Sequence, residues 1–562
     1  MRTDPRLLAV PVVLVVVGVT WIAATVAPSP AGSIAAKSSV IALQQASLAC
    51  PQAGGVPDGG AARIAYADAA TTATSPAASP IASPAAASSP VLSGGGLAGG
   101  ALSAGGGSSV ASLAATPSPA VSAVASGVAS SVASSPAASS PASSARGGGS
   151  VTTTALGVGT PIPAAPQSIP LRPGHGWVVD GPATQAPVAI TATGPVTDSL
   201  SAVQFTRAPV SGEAQISTAQ CGSPTTNAWF AGFSSNVGAH ASLLLTNIDA
   251  VPATVDVSIW GAQGGEPDTR RGIAVAAMSQ VAVPLDQIEP GLPVGVAQVV
   301  ATSGRIVPAV RDDAENGSIP LGVDWLPPTA APATTQTVPG ILGDAGPRHL
   351  IVGNPGAVDA NFSLTVVTAD GAFMPTQFTS LTVDAGEVSD VSLDPVLQGE
   401  AAAILITSSQ PVVAGGISML PSDAVGGSDF AFTAAVPPLS GPTVVAGGEV
   451  GAGRVTQLVL SAPSDDAPVE VVLLPSLTDA PPIVNDTTVP GGTTKVLDLA
   501  TLTTDPAPAV VVIPQGGGPL YAAWSLQEIG ASSSGLTELV LQTPVRSLPR
   551  APARFDPAAG LP

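Results

Sequence analysis

Three stretches decide the fold: LLLTNIDAVPATVDVSIWG (residues 243–261), LIVGNPGAVDANFSLTVVT (350–368) and LVLSAPSDDAPVEVVLLPS (458–476). Their starts are 350−243 = 107 and 458−350 = 108 residues apart, so each copy belongs to a unit of about a hundred residues, repeated in tandem. In the first, Val255, Val257 and Ile259 alternate with Thr254, Asp256 and Ser258. In the second, Phe362, Leu364 and Val366 alternate with Asn361, Ser363 and Thr365, and in the third Val469, Val471 and Leu473 keep the same beat around Pro468 and Glu470. Period two marks a strand with one face buried and one wet. An apolar run precedes each, at Leu243–Leu245, Leu350–Val352 and Leu458–Leu460, and the turn residues between supply geometry rather than chemistry.

The remainder of each unit also recurs. VAAMSQVAVPL from Val275, VDAGEVSDVSL from Val383 and VPGGTTKVLDL from Val489 each combine a turn with an alternating strand. GVAQVVATSGRIVPAV from Gly295, AAAILITSSQPVVAGGI from Ala401 and APAVVVIPQGGGPLYAAW from Ala507 then predict two apolar strands joined as a hairpin. Six or seven short strands per unit predict an all-β chain of tandem immunoglobulin-like sandwiches. A β-propeller is the alternative, but three clear copies and one faint one are few for a closed ring of blades. The faint copy runs from about Ser38 to Phe233, with APVAITATG (186–194) and SLSAVQFTRA (199–208) as its later strands.

These patterns divide the chain into a cytoplasmic tip and span (1–28), first strands of domain 1 (29–70), an insert (71–150) and the rest of domain 1 (151–233). Domains 2, 3 and 4 follow at 234–325, 326–430 and 431–550, with a tail at 551–562. The insert has no charged residue between Asp68 and Arg146, and its Ala, Ser, Gly and Pro bury too little surface to offset chain entropy, which predicts disorder. An unmodified spacer and an O-glycosylated stalk both fit that composition.

Leu7 to Ala27 is an uncharged apolar run of 21 residues, enough for a helix to cross a hydrocarbon core of about 30 Å. Arg2 and Arg6 precede it and no basic residue follows before Lys37, so the amino terminus is expected in the cytoplasm and the bulk of the chain outside the cell membrane. The run exceeds the h-region of a cleaved signal peptide, and Cys50 lies too far beyond it for a lipobox. Outside the membrane disulfides persist, and the two cysteines, Cys50 and Cys221, are expected to pair across the insert.

A net charge of −20 with 17 basic residues leaves no stripe to neutralise phosphates, so nucleic acid is not an expected partner. No P-loop, G-x-S-x-G elbow or H-E-x-x-H motif is present, and no catalytic residue, cofactor or metal site is expected. His175, His240 and His349 are the only candidate bases; the last two precede equivalent strands of two repeats, which points to surface or structural roles. Asp312–Gly317 (DDAENG) fails as a calcium loop because Ala314 and Val323 stand where ligands are required, and reads instead as a solvated acidic linker. Trp177, Trp229, Trp325 and Trp524 read as core or junction residues. Trp260, next to inward-facing Ile259, turns away from that core and is the candidate for ligand contact.

The order of these features resembles an uncharacterised family of actinobacterial single-span exported proteins. The resemblance is carried by the anchor, Cys50-Pro51, Cys221 ahead of Trp229, Phe230 and Gly232, and the L.L.N…A.V.V…G repeats. It covers most of the chain outside the insert and implies location and fold more than activity. The expected function is that of a non-enzymatic envelope scaffold or interaction module, and the alternative a cell-wall carbohydrate-binding protein assisting glycan assembly. The partner would be an envelope protein or glycan.

Overall fold

The structure is a computed structural model and describes residues 40–42, 45–53, 61–68, 149–159, 165–170, 172, 174–179, 186–210, 213–317, 319–343, 346–420, 428–476, 478–529, 534–544 and 547–549. The expected span Leu7–Ala27, residues 71–148 of the insert and the 551–562 tail lie outside the described residues.

The described chain is all-β, written four times over. The first repeat contains β1 (Val40–Ala42), β2 (Gln45–Cys50), β3 (Ala61–Asp68), β4 (Ser150–Ala155), β5 (Gly157–Val158), β6 (Gln167–Ile169), β7 (Gly176–Val179), β8 (Val188–Thr193), β9 (Leu200–Val210) and β10 (Glu213–Gln220). The second contains β11 (Asn227–Phe233), β12 (Ser242–Asn247), β13 (Ala253–Trp260), β14 (Asp268–Val275), β15 (Ser279–Pro284), β16 (Gly295–Ser303), β17 (Val307–Asn316) and β18 (Ile319–Leu326). The third runs through β19 (Ala333–Ile341), β20 (Arg348–Gly353), β21 (Ala360–Thr368), β22 (Gly371–Phe373), β23 (Leu381–Val383), β24 (Val388–Ser392), the short helix α1 (Asp394–Leu397), β25 (Ala402–Met419) and β26 (Phe430–Ala434). The fourth has β27 (Thr443–Val445), β28 (Arg454–Ala462), β29 (Ala467–Leu474), β30 (Ile483–Val489), β31 (Thr493–Asp498), β32 (Ala509–Pro514), β33 (Tyr521–Ile529) and β34 (Ser534–Val540), followed by β35 (Ser547–Pro549).

Each repeat is a two-sheet antiparallel sandwich with the same order. In the second, one sheet is β11-β16-β13-β14 and the other β18-β17-β12-β15; in the fourth, β27-β32-β29-β30 faces β34-β33-β28-β31. The first repeat follows with β2-β8-β4-β6 and β10-β9-β3-β7. Each repeat thus has eight strand positions where six or seven are expected. The strands expected as hairpins, β16 with β17 and β32 with β33, lie in opposite sheets. In the third repeat the corresponding segment is the single 18-residue strand β25, which leaves one sheet for the other without a turn. Alternation reports which face is buried but not which neighbour supplies the hydrogen bonds, so a crossing strand and a hairpin read alike. The boundaries move for the same reason. Trp229 and Phe230 sit on β11, which pairs with β16 and opens the second repeat instead of ending the first. Strand β26 pairs with β25 and ends the third.

The quoted phrases are the second and third strands of their repeats with the link between them. Asn247 and Asn354, both fully buried, bridge that link: each side-chain amide donates to a carbonyl four residues on (Val251 and Val358, 2.8 Å each). The 69–148 insert occupies this same link in the first repeat, where the other repeats need only a short turn. Cys50 and Cys221 form the expected disulfide, closing a loop of 171 residues inside the core of the first repeat with Tyr66, Trp177 and Ile190.

The sandwiches are not a simple string; each packs on the next, and the fourth packs on the first. Leu243 and Leu245 fill the core of the second repeat, while Leu244 between them meets Ala219 of the first and Trp325. Trp229, Trp260 and Val296 of the second repeat meet Ile351, Val388 and Val413 of the third. Ala434 and Val436 of the third meet Tyr521 and Val540 of the fourth. The circle closes where Phe205 of the first repeat stacks edge-on against Trp524 of the fourth, 6.0 Å between centroids, and where Ser201 donates to the carbonyl of Val444 at 2.8 Å. Outside this joint β1 pairs antiparallel with β35, tying one end of the described chain to the other. The ring has the closure of a propeller, but it is made of sandwiches whose paired sheets share a core, not of single-sheet blades.

Candidate functional site: the ring axis and a cavity in the third repeat

The eighth strand of every repeat, β10, β18, β26 and β34, lies at the centre, and buried acids knit the four together. Asp429 Oδ1 accepts the N–H of Phe430 (3.0 Å) and of Val323 (3.1 Å), and Oδ2 that of Leu536 (2.9 Å). The N–H of Ile216 bonds to the same carboxyl, so one side chain takes donors from all four repeats. Asp324 does likewise. It accepts the Thr537 hydroxyl at 2.9 Å, the N–H groups of Thr218 and Phe432 at 3.4 Å each, and that of Trp325. The Thr218 hydroxyl lies 2.7 Å from that of Thr537 and completes a short relay into Asp324.

Glu538 differs. It is buried, no backbone N–H reaches its oxygens among the described residues, and its one hydrogen-bonding neighbour, the Thr433 hydroxyl, also donates to the carbonyl of Pro339 at 2.7 Å. Its carboxyl lies so close to Gly340, at φ +80°, that a Cβ there would overlap it. Burial raises all three acids. Asp429 is pushed up to about 8, against the opposing pull of its N–H donors. Asp324 is raised well above the carboxylate range, by burial first and by the charge of Asp429 second. Glu538 is raised by burial and then by the charge of Asp324. None of the four strands carries Lys, Arg or His. A proton on Glu538 has the Thr433 oxygen as acceptor, whereas Asp324 and Asp429, surrounded by donors, serve as acceptors.

The first and fourth repeats, joined without a direct chain link, hold a second charged set. Glu449, buried and at φ +49°, pairs with Arg63 of the first repeat and Arg454 of the fourth (2.9 Å), and Glu528 pairs with Arg207 and Arg454 (2.9 Å).

The residues singled out in the sequence are scattered. Trp260 does turn away from the core of Ile259, but the face it enters is covered by the third repeat. It is buried and stacked on Trp229 at 5.3 Å, which removes it as an exposed ligand contact. Trp177, Trp325 and Trp524 are buried as well. Asp312 is not in a solvated linker. It lies on β17, 3% exposed, with Oδ2 accepting the N–H of Ser234 at 2.8 Å, and burial pushes it up to about 7. Strand pairing with β18 drew it inward, while Glu315, Asn316 and Gly317 at the far end of DDAENG are exposed. His240 faces Glu315 at 3.5 Å in the second repeat, and His349 bonds Asp390 at 2.7 Å in the third, a contact that raises its pKa. His175 lies 3.9 Å from Asp479 at the joint of the first and fourth repeats, so the three histidines do not converge. No group of three or more His, Cys, Asp or Glu with metal-binding geometry occurs among the described residues.

The third repeat contains a cavity of about 260 Å³ between its β21–β22 turn and the residues around α1. Its wall combines Asp370, Glu400, Gln398 and Thr368 with Ala372, Val396, Leu397 and Phe373. Gln398, which caps α1, is held in the left-handed region at φ 47° and ψ 33°. A residue with a Cβ costs about 1–2 kcal/mol there, where helices ordinarily end on glycine. The corresponding corners of two other repeats are built from different contacts. In the second repeat Leu292 packs onto Gly261, and in the fourth Ser476 bonds Asp505 through its N–H at 2.8 Å and through its hydroxyl.

Fold and site together define the class: an all-β ring of four sandwich repeats locked by buried carboxylates at its axis. Residues 178–500, more than half of the chain and running from β7 into the fourth repeat, match a family of unknown function, DUF5719. The chain belongs to that family. Comparisons with curated proteins and with solved structures give no match.

The sequence reading passed over Asp324, Asp429 and Glu538. A signal exists: each is the lone charge inside or at the start of an apolar eighth strand, as in GVDWL, DFAFT and LTELV.

Proposed function

We propose that the protein is a non-enzymatic scaffold of the cell envelope, held by the Leu7–Ala27 span with its repeats outside the membrane, as the resemblance to actinobacterial single-span exported proteins implies. The single observation that carries this reading is the location of the acids. Asp324 and Asp429 are sealed at the ring axis and spent on N–H and hydroxyl groups of four repeats, where they serve assembly. The disulfide in the first repeat suits an oxidising compartment. The repeats are immunoglobulin-like in their inner pairs. The third strand lies beside the sixth and the second beside the fifth, as in C–F and B–E of that fold, while the first strand lies beside the sixth and the seventh beside the second, an exchange of its edge positions.

Cross-linking in intact cells, followed by purification of the full chain, tests this reading. It expects envelope proteins in stable association and the chain in the membrane fraction. Recovery in the cytosolic fraction would refute it. The second reading, a cell-wall carbohydrate-binding protein, is favoured by the cavity of the third repeat with Phe373 at its mouth, 42% exposed. Co-sedimentation of the purified chain with peptidoglycan would favour it over the first.

A further inference from the structure

We infer that the cavity of the third repeat binds one ring of a neutral saccharide. The ligand class rests on the carbohydrate-binding reading, whereas occupancy of the cavity by a small ligand does not. A volume of about 260 Å³ lies just below the range for drug-sized ligands and suits a single pyranose ring. The wall is amphipathic in the manner a sugar requires. Phe373 and Leu397 offer apolar surface to the C–H face of a ring, and Asp370, Glu400 and Gln398 offer acceptors for its hydroxyls. Two carboxylates without a cation in the wall repel an anionic ligand. The guanidinium of Arg348, which reaches the carbonyl of the lining residue Glu400, is spent there, on the carbonyl of Leu342 and on Asp394.

Gln398 supplies an independent observation. The sequence keeps an amide in a backbone conformation that favours glycine, at the wall of this cavity. Residues held in sparsely populated backbone conformations cluster at ligand clamps and other functional sites.

Saturation-transfer NMR on the full chain in detergent, with the methyl glycosides of glucose, galactose and mannose as probes, tests the inference. At least one glycoside is expected to bind at on the order of 1 mM, the affinity that a dozen heavy atoms support. Phe373→Ala and Asp370→Asn are expected to weaken it about tenfold, the loss of one anchoring contact. Gln398→Gly is the discriminating variant: it should lose binding while its melting temperature holds or rises, since the left-handed strain is relieved. Binding of a glycoside that survives all three variants overturns the site and leaves the carbohydrate reading standing. Absence of transfer from every glycoside overturns the inference, and if peptidoglycan also fails to retain the chain, the carbohydrate reading falls with it. Protection by calcium chloride in place of any sugar assigns the cavity to a cation and overturns the ligand class.

Discussion

Glu538→Gln is expected to flatten the pH dependence of ring stability. Glutamine reproduces the shape of the protonated acid, which is the form that a buried carboxyl with no N–H donor and no cation beside it adopts. Its value in the unfolded chain is near 4.5, and in the ring it is raised well above that by burial and by Asp324. Below the unfolded value the acid is neutral in both states and the full stability is present. Above it the unfolded chain releases a proton that the ring retains, so stability falls by about 1.4 kcal/mol for each pH unit until the folded value is reached. Asp429 adds a loss of the same sign, spread between pH 3.8 and about 8. Across pH 5.5 to 7.5 the loss from Glu538 therefore grows with pH, by about 1 °C in melting temperature per unit for a chain of this size, for as long as the ring retains the proton. Differential scanning fluorimetry of both proteins across that range is the assay. The two curves should meet near pH 4.5 and diverge as pH rises, with the variant the more stable. Parallel curves, or a variant destabilised equally at every pH, would show that Glu538 is ionised in the ring and refute the reasoning. Asp429→Asn is the contrasting change: its single NH2 group would face either the N–H of Leu536 or those of Val323 and Phe430, and a loss of about 1–3 kcal/mol is expected, largest at low pH because the variant also lacks the titration of Asp429.

Other perturbations probe the remaining parts. Reduction of Cys50–Cys221, or Cys221→Ser, frees a loop of 171 residues and should cost about 5 kcal/mol on the chain-entropy account, visible as a lowered melting temperature under reductant. Trp260→Ala removes a buried ring stacked on Trp229 at the joint of the second and third repeats, and a loss of about 3–5 kcal/mol in urea unfolding is expected. Arg454→Met strips a partner from both Glu449 and Glu528, so the closing joint should weaken by about 3 kcal/mol and become more susceptible to limited proteolysis. Replacing residues 70–148 by a short turn should leave the melting profile of the sandwiches unchanged, because the other repeats make the same connection in a few residues; a collapsed profile would show that the insert is part of the fold.

Some of this was legible in the chain. The spacing of the three phrases determined the repeat, their alternation determined β structure with a buried face, and the paired cysteines bracketing the insert marked it as an excursion from one domain. Even the packing of one repeat on another left a trace. Leu243, Leu244 and Leu245 are consecutive apolar residues on one strand, and such a run requires burial of both faces; Leu243 and Leu245 took the core of the second repeat and Leu244 the joint with the first. Trp260 obeyed the alternation that turned it from Ile259, yet its exposure depended on whether another sandwich covered that face.

Pairing, closure and the charged axis were decided by tertiary structure alone. A strand records its two faces in its residues because side chains carry that information, but its neighbours are chosen through backbone groups that are the same at every position. The Asp324 carboxyl acquired its character in the same way. Its sequence neighbours are Val323 and Trp325, while the groups that bond it and bury it come from strands 106 to 213 residues away.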